Sequence, residues 1–390
     1  MLGDGPFSRR IRKARVQALE RPGGSFYGGP VLGDRPGGKR LRHTRRGAPV
    51  DSFAPALSEP AELRGSYAYL GLAFAHFGHI MAEMVHRIVP TRRIDPAPHW
   101  LIVAERGSEA SFEGLPPLCR TVLALFGIDG SHCTVVTGDA IVEDLLIVEA
   151  GSDLGGGPKQ WYLDLLRTSG PALVGPDDRY PAKVYVSRSG LGNESGLLGE
   201  RVLEGALERA GFHILHSEAL PLAEQIAHYA NAKVLLFAEG SACHGAELFG
   251  RGALGHTILM NRRDRARSQF VPVLEPRSRR FDAFTGNPYL GTVRINAEGV
   301  PLANRGVSAI TLPALTAFLS RIGAAELGPV SPIAYLAAAH DDLERYVAGS
   351  AGAESARLAD DVRAALCAAI EAGGTIAPAA PAVQRRARGG

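Results

Sequence analysis

The clearest alternation of apolar and polar positions begins at Lys183. Val184, Tyr185, Val186 and Ser187 form a β-branched, alternating run that predicts a strand ending on Arg188. Leucines 197, 198, 203 and 207 recur at helical spacing and predict a helix over 197–210, with Gly211 suited to a left-handed cap. His213–His216 reads as a second strand, 222–230 as a second helix, and Lys233–Ala238 as a third strand apolar enough to be buried on both faces. That strand runs into Glu239, Gly240 and Ser241, a turn that opens another helix through His244. The order strand, helix, strand, helix, strand, Gly-Ser turn predicts a doubly wound α/β domain. Ligands of such domains sit at the carboxyl ends of the strands. Arg188, Asn193, Glu194, Gly240, Ser241 and His244 all fall at such ends.

An earlier α/β alternation precedes this one. Tyr67–Phe74 predicts a strand and Ile80–Val89 a helix stopped by Pro90. Trp100–Ala104, Cys133–Val136 and Ala140–Glu149 read as strands, and 118–126 and 161–166 as helices. Gly151–Gly157 is glycine-rich without a Gly-x-Gly-x-x-Gly fingerprint, which favours a flexible connection over a dinucleotide loop. Thr168–Pro181, with three prolines, predicts the interdomain linker. Further on, His256–Met260 and Tyr289–Ile295 read as strands, and Asn261–Arg267 as a solvated charged loop open to a phosphate. Alanine-rich helices are expected over 312–322, 333–347 and 356–372.

These elements divide the chain into a basic, disordered tail (1–55), an N-terminal α/β domain (60–175), a Rossmann-like domain (180–300), C-terminal helices (305–373) and a disordered end (374–390). The expectation for 1–55 rests on its wealth of Gly, Pro and Arg and its lack of a sustained apolar period. Charge follows the same division. Residues 1–50 carry 12 Lys and Arg against 3 Asp and Glu, a surplus of +9, while the whole chain is only +3, so the rest is −6. A mildly acidic body argues against a nucleic-acid enzyme. The tail reads either as a solvated extension or as an electrostatic arm for peripheral contact with an anionic membrane or polymer. No apolar run approaches the ~20 residues of a membrane span, and no secretion signal opens the chain, which gives a cytoplasmic expectation. The cysteines, 119, 133, 243 and 367, lie far apart without a Cys-x-x-Cys pair and read as reduced thiols.

The helix expected after Phe74 carries the densest chemistry. His79, Glu83 and His86 stand at i, i+4 and i+7 and would share one face. A zinc site, a satisfied structural cluster and a carboxylate–imidazole pair for acid–base work all fit that face. The order His-Glu-x-x-His of zinc helices is absent, which counts against the metal.

Two separated stretches together resemble the family 61 glycosyltransferases, including those of the bacterial capsular-polysaccharide type. One is His76, Phe77, Gly78, His79 and Glu83, similar to the family's aromatic/Gly–His–x–x–x–Glu segment. The other is the strand ending on Arg188, then Asn193 and Glu194, Gly211 and Phe212, Glu224, Gln225 and Ile226, and Glu239, Gly240 and Ser241. His244 stands where many members carry an asparagine. The resemblance covers about residues 65–260 and implies a GT-B-like pair of Rossmann-type domains facing a cleft. It further implies inverting transfer of a sugar from a nucleotide-sugar donor to a glycan acceptor, without cofactor or metal.

Such transfer needs a base for the acceptor hydroxyl. Glu83 is the first candidate and His79 its rival. A carboxylate beside Ile80 and Met84 is expected to have a raised pKa. Arg188 can fork onto a phosphate, Gly240 and Ser241 offer N–H groups at a helix start, and Glu239 can accept from ribose hydroxyls. Asn193, Glu194 and His244 complete the expected donor side. The alternative is a non-catalytic nucleotide or sugar binder in which Glu83 is merely structural. A nicotinamide enzyme lacks its glycine fingerprint here.

Overall fold

The computed structural model describes residues 5–20, 26–32, 37–52, 59–169, 177–191, 195–264, 266–348 and 353–373. The expected tail 374–390, the site residues Asn193 and Glu194, and much of the linker lie outside them. Among the described residues no helix is long and apolar enough to cross a membrane.

The first sheet has seven strands: β1 (Ser8–Glu20), β2 (Phe26–Pro30), β3 (Asp51–Ser52), β4 (Ala61–Leu72), β5 (Trp100–Val103), β6 (Cys133–Val136) and β7 (Ala140–Val148). Their order is β3-β2-β1-β7-β4-β5-β6, with β1 antiparallel to β7 and the pairs β7/β4, β4/β5 and β5/β6 parallel. The expectation of a disordered 1–55 is therefore corrected for its described residues, 5–20, 26–32 and 37–52. Ile11, Ala14, Val16, Ala18 and Leu19 are buried in the middle of this sheet. Arginines on the outer face hid that alternation by dominating the average composition. Their charge is not idle: Arg10 and Arg12 reach the buried Asp144 of β7 at 2.7 and 3.5 Å.

The second sheet holds β8 (Lys183–Ser187), β9 (His213–His216), β10 (Val234–Ala238), β11 (Leu254–Met260) and β12 (Ser278–Phe284). All are parallel, in the order β9-β8-β10-β11-β12. This is the doubly wound order whose chain direction reverses beside the first strand. Period-two alternation divides its side chains between two layers. Val184, Val186, Leu235 and Phe237 join a core that runs on through the first sheet. Tyr185, Leu236, Ile258 and Met260 face a second core covered by helices 200–209, 312–321 and 332–348.

Several local expectations need correction. Residues 278–284 form a strand the sequence did not announce, because alternating Arg, Asp and Phe on an edge gives no apolar run. The helix expected over 197–210 starts at Glu200, since Leu197 is drawn into a bridge with Ser308. Pro90 does not stop its helix but sits in the first turn of a new one, Ile88–Ile94, where a missing N–H costs nothing. Within the glycine-rich connection, Ser152 and Asp153 pair with Gly157 and Pro158 as a small hairpin.

Candidate active site where the two sheets meet

Strand β4 leads through Phe74 to His76, whose side chain accepts from the N–H of Gly78 and so caps the turn that begins the helix. The helix is irregular: an α-turn over Phe77–His79, a π-turn over Ile80–Met84, then a 3-10 turn over Val85–Arg87. The wider π-turn rotates the residues beyond it about the helix axis. His79 and Glu83 stay together, His79 Nδ1 donating to Glu83 Oε1. His86 is carried inward to Glu247 at 3.1 Å and Tyr162 at 3.1 Å. The expectation of a shared His79, Glu83 and His86 face is thus corrected. Among the described residues no group of three His, Cys, Asp or Glu side chains is placed to hold a metal ion.

Two partners of Glu83 come from the segment expected to be disordered. His43 donates from Nε2 to Oε2. Arg45 forks onto the carboxylate, Nε to Oε2 at 2.9 Å and Nη2 to Oε1 at 3.0 Å. The Glu83 side chain is 1 % exposed. Burial alone would push its pKa up, but the hydrogen bonds of His43, His79 and Arg45 more than reverse this and hold it well below the usual carboxylate range. The expected raised pKa is corrected, and the reason is cationic and N–H donors on both oxygens. His79 is 38 % exposed and has no hydrogen-bond partner at Nε2 among the described residues. His76 lies edge-on to it with ring centroids 5.4 Å apart. Burial, then His79, Arg305 and His244, depress the His76 pKa and keep that ring neutral.

The helix start of the second sheet packs against this one. A Cβ at Gly78 would stand 3.2 Å from His244, which is buried and bonded through Nδ1 to Glu247 at 3.0 Å. Glu247 also meets His86 and, at 3.6 Å, Arg277. Burial raises the pKa of Glu247, but His86, His244 and Arg277 outweigh it and keep the carboxylate ionised. This buried set fastens the two sheets directly behind the histidines. His244 is therefore a side chain already committed to Glu247, at the seam where its expected donor-side role would lie.

Arg188 ends β8 at the reversal point between β8 and β10. Glu200 anchors its backbone N–H at 3.0 Å, and its guanidinium donates to the Ser195 carbonyl at 3.0 Å. Its Nε is buried without a partner. Gly240 at the end of β10 leaves room for Arg188, since a Cβ there would lie 2.1 Å from Nη1 and move the guanidinium. Ser241 then opens the 3-10 helix Ser241–Leu248. Arg188 and Gly240 thus lie against each other, with Ser241 the next residue along the chain. Glu239 is not available to them. It is fully buried, accepts the N–H groups of Arg262 and Arg263 at 2.8 Å each, and pairs with the Arg263 guanidinium. Its expected contact with ribose is corrected, and so is the solvated loop, since Arg262 is buried against Gly306 O at 2.8 Å.

The second sheet thus carries at its reversal point a guanidinium whose buried Nε lacks a partner among the described residues, and the first sheet leads into an imidazole held by a carboxylate. Residues 77–252 match the family model for glycosyltransferase 61, just under half of the chain. The protein carries a family 61 domain and is a glycosyltransferase. No curated protein matches the chain.

His43 and Arg45 are the site residues that sequence reasoning missed. The usable signal was Arg46 and Gly47 between short extended pairs, a two-residue hairpin turn.

Proposed function

We propose that the protein moves a sugar from a nucleotide-sugar donor to a hydroxyl of a glycan acceptor, with inversion at the anomeric carbon and His79 as the base. The observation that carries this is the saturation of Glu83, whose two oxygens are taken by His43, His79 and Arg45. A carboxylate so held is a poor proton acceptor and a good orienting group. It fixes Nδ1 of His79 as the donor and leaves Nε2 as the basic nitrogen of a ring that is 38 % exposed. In the step, the acceptor's hydroxyl proton passes to Nε2. Its oxygen bonds to the anomeric carbon, the bond from that carbon to the diphosphate oxygen breaks, and the electron pair leaves with the nucleoside diphosphate. Arg188 and the N–H groups opening the Ser241–Leu248 helix are the groups that would stabilise the leaving charge.

On this reading the two sheets act as the halves of a GT-B-like enzyme, the doubly wound one taking the donor. The acceptor would be a capsular-type polysaccharide handled in the cytoplasm, and the step described uses no metal. A membrane-bound acceptor would be met by the basic residues left exposed on β1: Arg12, Lys13 and Arg15.

The test is a thermal-shift screen across nucleoside diphosphates and nucleotide sugars, followed by transfer assays on His79→Ala. A stabilising nucleotide and loss of transfer in the variant are expected. If no nucleotide raises the melting temperature, the donor reading fails. If His79→Ala keeps full transfer, the base lies elsewhere.

A further inference from the structure

The segment bearing His43 and Arg45 lies outside the family-matched 77–252. It is nevertheless anchored on both sides of those residues. Ahead of them, Arg40 forks onto Glu149 at 3.1 and 2.6 Å, and Arg87 donates to the carbonyls of Leu41 at 2.9 Å and Arg42 at 3.2 Å. Behind them, Arg46 N–H donates to Leu154 O at 3.0 Å and Gly47 N–H to Asp153 at 2.7 Å. Thr44 and Arg45 pair antiparallel with Pro49 and Ala48. The two residues between them, Arg46 (φ 50) and Gly47 (φ 76), take the left-handed conformation of a tight hairpin turn. This register delivers Arg45 to Glu83.

We propose that this N-terminal hairpin is a working part of the site, with Arg45 a positioning residue. Assisted by His43, it locks the Glu83 carboxylate toward Nδ1 of His79 and offsets its charge, so that less of that charge is left to hold a second proton on the ring. The inference rests on the reading of His79 as the base. The reason is electrostatic. A lone carboxylate against an imidazole stabilises the imidazolium and fills the base with a proton before the acceptor arrives. A guanidinium forked onto the same carboxylate opposes that field. The groups facing His79 are Glu83 on its own helix, His43 and Arg45 on the hairpin, and His76 in the preceding turn. Arg305 and His244 act on His76 from the second sheet's side. Among them Glu83 and Arg45 form one anion and one cation in direct contact. Removing Arg45 leaves the anion to the histidines.

The experiment is pH-resolved labelling with diethyl pyrocarbonate, read residue by residue by mass spectrometry on the full chain. Only unprotonated imidazole reacts, so each histidine gives a labelling midpoint, and the exposed His132 serves as an internal reference. In Arg45→Gln the His79 midpoint is expected to move up by about one pH unit. In Arg45→Lys, which keeps the charge, it should stay within about 0.3 units of wild type. Glu83→Gln should move it down, an opposite sign that holds even if one Arg45 variant folds poorly. Once a donor is in hand, the low-pH limb of turnover in Arg45→Gln should shift with the labelling while KM changes little. A His79 midpoint unchanged in folded Arg45→Gln overturns the inference, even if His79→Ala has lost transfer. Full transfer by His79→Ala overturns the base assignment instead, and with it a catalytic role for the hairpin, whatever the labelling shows.

Discussion

Removing residues 1–20 tests the placement of β1 most severely. Ile11, Val16 and Leu19 are at most 7 % exposed, and each buried side chain of that kind contributes about 1.5–3 kcal/mol, together roughly 5–9 kcal/mol as an upper estimate. The deletion also uncovers the apolar side of β7 and strips the buried Asp144 and Glu149 of Arg10, Arg12 and the Phe7 N–H. Total stabilities of folded domains are about 5–15 kcal/mol, so the loss is comparable to the whole. The truncated chain should be recovered insoluble or without a cooperative melt in far-ultraviolet circular dichroism. A graded version replaces Leu19, fully buried, by Ala at a cost of about 2–5 kcal/mol. At about 2 °C or more per kcal/mol, its Tm should fall by at least about 4 °C. Arg15→Ala, on the exposed side of the same strand, should change stability by less than about 0.5 kcal/mol. A soluble truncated protein melting at the wild-type temperature would refute the reasoning.

Four further outcomes are expected. In a transfer assay, His79→Ala should lose about 10²–10⁴-fold in kcat, and Glu83→Gln a similar order because the ring loses its orienting partner. A nucleoside diphosphate should raise Tm, and Arg188→Ala should abolish most of that rise in a thermal-shift measurement. Glu83 and Glu247 titrate well below the ordinary 4.5 in the fold, so they add stability that is present above that value and lost as pH falls below it toward their folded range. Melts recorded against pH should show this acid decline, shallower in Glu247→Gln, which would start from a lower Tm at neutral pH because His86, His244 and Arg277 lose their shared anion. EDTA should leave transfer intact, and loss on chelation restored by zinc would reopen a metal role.

The sequence by itself determined four of the five strands of the second sheet, all but the edge strand 278–284. The near-continuous apolar runs at 184–186 and 234–238 follow from burial on both faces, and a glycine at 240 suits the close approach of Arg188. The pairing of His79 with Glu83 was also legible, because i and i+4 remain neighbours in a π-turn as well as in an α-helix. Only the tertiary structure decided that β1 is a core strand. Whether an Arg-rich strand is solvated or sheet-forming depends on partners such as β7 and Asp144, more than a hundred residues away. It alone decided which groups titrate. Glu83 looked like a desolvated base until Arg45 and His43 arrived from a distant hairpin, and Glu239 looked like a ligand until Arg262 and Arg263 consumed it. A carboxylate's charge state is set by what surrounds it within a few ångströms, and local sequence supplies only the neighbours that share its own turn of helix.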